Sequence, residues 1–151
     1  HGIMQAGQVA KDIRLCNAEL ILSSPYTRTL QTSAIISKET GIPIIVEPDL
    51  HEWIPDLDFH YQTPKEFQNA LDEMHKNNGE WSELCEYKWE SVSQIGERVH
   101  KVLTRYLGDY QKIIVVTHAE VIHRYVPFKI NYCSINEIEM NKTTKWLGWK
   151  E

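Results

Sequence analysis

Two side chains in this 151-residue sequence stand where chemistry can be done. Arg28 follows the apolar run Leu20-Ile21-Leu22 across Ser-Ser-Pro, and His118 follows Lys112-Ile113-Ile114-Val115-Val116-Thr117 directly. Unbroken apolar runs of this kind predict parallel strands covered on both faces. Arg28 then falls in the first turn of a predicted helix, where a cation opposes the helix dipole. A guanidinium in that unfavourable place, beside unpaired N–H groups, suits a phosphoryl group, because it cannot lose its charge and its planar fork matches two oxygens. His118 should emerge at the sheet rim, where an imidazole serves as acid, base or charge stabiliser near neutral pH. Glu52, in Leu50-His51-Glu52-Trp53, is the candidate general acid, since partial burial beside an indole raises a carboxyl's proton affinity. Asp56 and Asp58 are weaker candidates for that role. Each residue has a plain alternative reading: a surface arginine, a histidine bonded to a loop, a solvated loop glutamate. Ligands of parallel sheets bind beyond the carboxyl ends of the strands, so convergence of Arg28 and His118 there is what favours function.

The elements that must position them follow from periodicity. Ile3, Ala6, Val9, Ala10 and Ile13 predict a first helix over 3–15. A strand is expected at 19–23, then a helix over 27–40 that Gly41 terminates. A minor strand at 42–46 carries Pro43, which places it at an edge or a strand start. From 47 to 89 the pattern loosens into an excursion over the sheet edge. Trp53, Phe59, Tyr61, Phe67, Trp81, Tyr87 and Trp89 are scattered through it, and Thr63-Pro64 opens one helix over 64–76. A long helix over 91–110 precedes the strongest strand, 112–117. A short helix at 119–125 and an antiparallel pair, 135–140 with 145–149, close the chain. Strands alternating with amphipathic helices predict one α/β domain over 1–151, a three-layer α/β/α sandwich with a mostly parallel central sheet.

Composition narrows the function classes. The formal charge of −5 argues against a general nucleic-acid binder, so an anionic ligand must be met by a few placed cations. Cys16, Cys85 and Cys133 show no zinc-ligand spacing and read as reduced thiols of a cytoplasmic protein. His118-Ala119-Glu120 begins like an H-x-E zinc motif, but the cysteine pair it needs is absent, so no metal is expected. No apolar run approaches the roughly 20 residues of a membrane span, and no membrane partner is expected.

In order along nearly the whole chain, these segments resemble the histidine phosphatase superfamily, which contains phosphoglycerate mutases, fructose bisphosphatase domains and acid phosphatases. Gly2-Ile3-Met4-Gln5-Ala6 is similar to its G-x-x-Q-A helix start, residues 23–32 (SSPYTRTLQT) to its S-S-P-x-x-R-x-x-Q-T segment, and Val115-Val116-Thr117-His118 to its V-V-[ST]-H. The resemblance implies a phosphoglycerate mutase-like fold and a phosphohistidine mechanism without cofactor. In it Arg28 is a clamp arginine, His118 the second histidine and Glu52 the proton donor. It also implies a nucleophilic histidine in an R-H-G motif on a strand preceding the G-x-x-Q-A helix. His1-Gly2 is not that motif, because Gly2 aligns with the helix glycine, so the strand and nucleophile are expected upstream of His1 and the printed chain is expected to be inactive. Ala119 stands where the family commonly has glycine.

The expected function is therefore a metal-independent phosphatase acting on a small phosphorylated metabolite. The alternatives are a phosphoglycerate mutase-type phosphotransferase and a non-catalytic binder of phosphorylated ligands. Oligomeric state is left open.

Overall fold

The computed structural model describes residues 1–126 and 129–140. Its centre is a three-stranded parallel sheet: β1 (Leu20–Ser23) lies between β2 (Ile44–Val46) and β3 (Ile113–Val116). Ile21 is in register with Ile44 on one side and Ile114 on the other. Every residue of β1 is buried, as its apolar run requires. β2 is the edge that Pro43 forecast, and Ile45 and Val46 are partly exposed. All four residues of β3 are half-buried.

Strand alternation divides the core into two layers. Leu20, Leu22, Ile113 and Val115 face a cluster with Trp53, Met74, Trp89, Ile95, Val99 and Val102. Ile21, Ile114 and Val116 face the other side, with Ala10, Leu15, Ile36 and Ile42. The helices follow suit: α1 (Gly2–Val9) and α2 (Thr27–Thr40) cover one face, while α3 (Pro64–Lys76), α4 (Val92–Tyr106) and the short α5 (Ala119–Ile122) cover the other. This is the α/β/α arrangement expected from the alternation of elements.

Local chemistry sets the boundaries. Gly41 ends α2 at φ +77°, with its N–H on the Ser37 carbonyl. Thr63 and Glu66 form a capping box at α3, and Ser91 and Gln94 form another at α4. The first helix is shorter than its periodicity suggests. It ends at Val9, because Asp12 accepts the Arg14 N–H and opens a separate 3₁₀ turn at Ile13–Leu15. Ile3 and Ile13, read as part of its buried face, are exposed, and Ala6 and Ala10 make the contact. Helix α4 stops at Tyr106, and α5 at Ile122. The strand expected over 135–140 is not formed; the segment is irregular, and Arg14 donates to the Ile135 carbonyl that a strand ladder would have used. Its intended partner at 145–149 lies outside the described residues.

The 47–89 excursion is held by a few polar anchors. Glu73 on α3 accepts the Glu86 and Tyr87 N–H groups and the Trp89 indole N–H. Trp53 Nε1 donates to the Glu90 carbonyl, and the Glu90 carboxylate is gripped by Arg98 of α4 at 2.6 and 3.1 Å. The same guanidinium reaches the Asp49 carbonyl. These bonds fix both ends of the loop that carries Glu52.

Candidate active site

Parallel pairing places the carboxyl ends of β1 and β3 side by side, Ser23 opposite Val116. The chain leaving β1 turns through Ser24 and Pro25 into α2, and the Ser24 N–H continues the ladder to the Val116 carbonyl. The Thr29 hydroxyl lies 2.7 Å from the Tyr26 carbonyl and 3.0 Å from that of Ser24, closing the turn. Arg28 therefore projects from the first turn of α2 over the same rim where β3 delivers His118.

The two meet. Arg28 Nη2 lies 2.7 Å from His118 Nδ1, and Ser24 Oγ lies 2.7 Å from His118 Nε2. A guanidinium only donates, so Nδ1 must accept, the ring proton sits on Nε2, and Ser24 receives it. Tyr26 packs edge-on to the imidazole at 4.9 Å between centroids, and the Arg28 guanidinium lies 4.9 Å from the Tyr26 ring. His118 is buried, whereas the Arg28 side chain is 61% exposed and open to a ligand. Burial above all, then the positive charges of Arg28, His51 and Arg98, push the His118 pKa down to about 4. The resting imidazole is neutral.

Glu52 completes the group. Its Oε2 lies 4.0 Å from Arg28 Nη2 and 3.9 Å from His118 Nδ1. The Thr117 hydroxyl donates to the Leu50 carbonyl at 2.9 Å, tying the end of β3 to the loop that carries Glu52. Burial raises the Glu52 pKa, partly offset by N–H bonds from Trp53 and Glu120 and by the charges of Arg28 and Arg98. The three residues singled out in the sequence thus share one rim.

Asp56 and Asp58 do not join them. Burial would lift the Asp56 carboxyl, but the N–H groups of Asp58 and His60 outweigh it and hold the pKa below the usual range. Asp58 pairs with Lys88 at 3.2 Å. Ser24, Tyr26 and Arg98 were not recognised from the sequence as parts of the site. Ser24 alone carried a signal, a hydroxyl placed where β1 ends. Among the described residues no group of three histidine, cysteine, aspartate or glutamate side chains is arranged to hold a metal ion.

Comparison with known proteins gives this geometry its context. The family model of the histidine phosphatase superfamily (branch 1) matches residues 1–149. The chain belongs to the histidine phosphatase superfamily. A probable phosphoglycerate mutase, GpmB, of Yersinia pestis (strain Pestoides F) is 26% identical over 98% of this chain and 76% of its own length. The mycobacterial glucosyl-3-phosphoglycerate phosphatase in complex with inorganic phosphate superposes with a TM-score of 0.63 at 18% identity, over 80% of this chain and 63% of that one. A putative α-ribazole-5'-P phosphatase of Escherichia coli superposes with a TM-score of 0.59 at 21% identity, over 81% and 61%. The chain thus spans about three-fifths of these two solved structures. They share with this superfamily member the phosphoglycerate mutase-like fold, and the Arg28–His118–Glu52 rim lies at the strand ends of that fold. Among the described residues no helix is long and apolar enough to cross a membrane.

Proposed function

We propose that this protein is a metal-independent phosphatase that hydrolyses a small phosphate monoester through a phosphohistidine intermediate. The observation that carries the reading is the meeting of Arg28 and His118 at 2.7 Å, with the Glu52 carboxyl within 4.0 Å of both. An anion seated on this rim takes the Arg28 N–H groups now directed at His118. Its charge also favours a proton on Nδ1, turning that atom from acceptor to donor. Ser24 holds the ring in place through the exchange. Two donors then face the phosphoryl oxygens as charge grows on them, which is how a preorganised site lowers a barrier. Glu52, whose proton affinity burial raises and a phosphoryl anion alongside raises further, takes up a proton as the substrate binds and supplies it to the leaving oxygen when the P–O bond breaks.

The attacking histidine is assigned to residues upstream of His1, in the R-H-G motif that the family resemblance implies. A water then cleaves the phosphohistidine. A cytoplasmic setting and a small phosphorylated metabolite as substrate belong to the same reading. The phosphotransferase alternative draws support from the relationship to GpmB, described as a probable phosphoglycerate mutase. The choice between them would lie in the 47–89 excursion, which borders the rim and would admit water or exclude it.

The test is Arg28→Ala in the protein carrying its upstream coding sequence, assayed on p-nitrophenyl phosphate. Loss of one preorganised donor should lower turnover roughly 10²–10³-fold. Turnover equal to the parent's would refute the assignment. Phosphate passing to an alcohol acceptor in preference to water would favour the transferase.

A further inference from the structure

Glu120 follows His118 by two residues and has no role in the scheme above. It occupies the first turn of α5, its backbone N–H donates to the Glu52 carboxylate, and its own side chain is only 17% exposed. The protein treats these two neighbouring carboxyls differently. Glu52 accepts N–H bonds from Trp53 and Glu120 and faces Arg28. Glu120 Oε2 is buried and receives no hydrogen bond, and the Arg124 guanidinium approaches it only to 3.8 Å. N–H donors stabilise a carboxylate as the anion, whereas a buried carboxyl oxygen without a donor favours the neutral acid.

We propose that Glu120 is a positioning residue for Glu52 that is the last of this carboxyl pair to give up its proton, so that below neutral pH the rim offers an incoming anion one carboxylate and not two. The inference rests on the phosphatase reading for its purpose, and on the packing alone for its chemistry. The charged and titratable groups around the pair are Arg28 from α2, Arg98 from α4 with its partner Glu90 just before the α4 cap, His51 from the Glu52 loop, His118 from the end of β3, and Arg124 beyond α5. Burial, then the charge of Glu52, push the Glu120 pKa up to about 7 against the pull of Arg124. Environments that differ in this way drive apart the proton affinities of two neighbouring carboxyls. Glu52 ionises first, so its charge acts on Glu120, while Glu120 is still neutral when Glu52 titrates.

The experiment is a ¹³C-carboxyl NMR titration of the protein carrying its upstream coding sequence, labelled at glutamate. In the parent, Glu120 should ionise near pH 7, after Glu52. Glu52→Gln should lower the Glu120 midpoint, and Glu120→Gln should remove the late transition while leaving the Glu52 midpoint in place. A Glu120 that ionises in the ordinary carboxylate range, or whose midpoint is unmoved by Glu52→Gln, overturns the proposal. The titration needs neither substrate nor turnover. Full turnover in Arg28→Ala would therefore sink the phosphatase reading and leave this result standing, while an ordinary Glu120 midpoint would sink only the carboxyl pair.

Discussion

Acid should weaken this fold through His118 before it protonates ordinary carboxylates. In the unfolded chain an imidazole titrates near 6.5, whereas in the folded protein His118 is held down to about 4, first by burial and then by the Arg28 guanidinium against Nδ1. The folded pKa is depressed, so the stabilisation is fully present above pH 6.5 and is lost as pH falls towards about 4. At pH 5 the unfolded imidazole has gained about one and a half units of protonation free energy, and the folded one almost none. At about 1.4 kcal/mol per unit this is roughly 2 kcal/mol, a large share of the ~5–15 kcal/mol typical of a domain. Urea melts of the parent and of His118→Gln, at about pH 7.5 and pH 5, isolate the effect. His123, also depressed by burial and by Arg124, contributes to both proteins and cancels in the difference. The parent should lose about 2 kcal/mol more than the variant on acidification. Equal losses would refute the argument, and so would an imidazolium signal for His118 at pH 6 in the ¹⁵N spectrum of the folded protein.

Ser24→Ala strips the acceptor from the buried Nε2–H and should cost about 1–3 kcal/mol in a urea melt. The variant's long-range ¹⁵N–¹H spectrum should still show the Nε2–H tautomer, because Arg28 keeps Nδ1 an acceptor, and a neutral ring with its proton on Nδ1 would contradict the placement of the ring proton. Glu73→Ala leaves the Glu86 and Tyr87 N–H groups and the Trp89 indole without their acceptor, so limited proteolysis should cut within 77–91 much faster than in the parent. Indistinguishable digestion would mean that Glu73 does not anchor the loop. Gly41→Ala places a Cβ at φ +77°, where nothing lies within 4 Å, so it should cost only the backbone penalty of about 1 kcal/mol, read as a shift in the urea midpoint. No loss of stability would mean that the left-handed cap is relaxed away.

Much of this architecture was legible because it is written in short-range chemistry. The β-branched run at 113–116, Gly41 after Thr40 and Thr63 before Pro64 each act through the backbone within a turn, and those elements stand where the residues placed them. Elsewhere the periodic pattern misled. Ile13 leaves the helix because Asp12 captures the Arg14 N–H and opens a separate turn, and Ile3, inside α1, faces solvent while Ala6 and Ala10 make the contact. The segment at 135–140 has strand-like composition, yet it is irregular, and Arg14, far away in the chain, takes the Ile135 carbonyl.

The same division holds for the rim. Sequence by itself determined that a guanidinium and an imidazole leave the ends of two apolar strands, since strand propensity and the Ser-Ser-Pro turn are local properties. Only the tertiary structure decided that the strands are neighbours, that burial and then Arg28 keep His118 neutral, and that Ser24 receives its proton. It decided also that Glu52 and Glu120, 68 positions apart in the chain, are neighbours, the Glu120 N–H donating to the Glu52 carboxylate. Proton affinity depends on burial and on the distance to other charges, and both arise only when separate segments pack together.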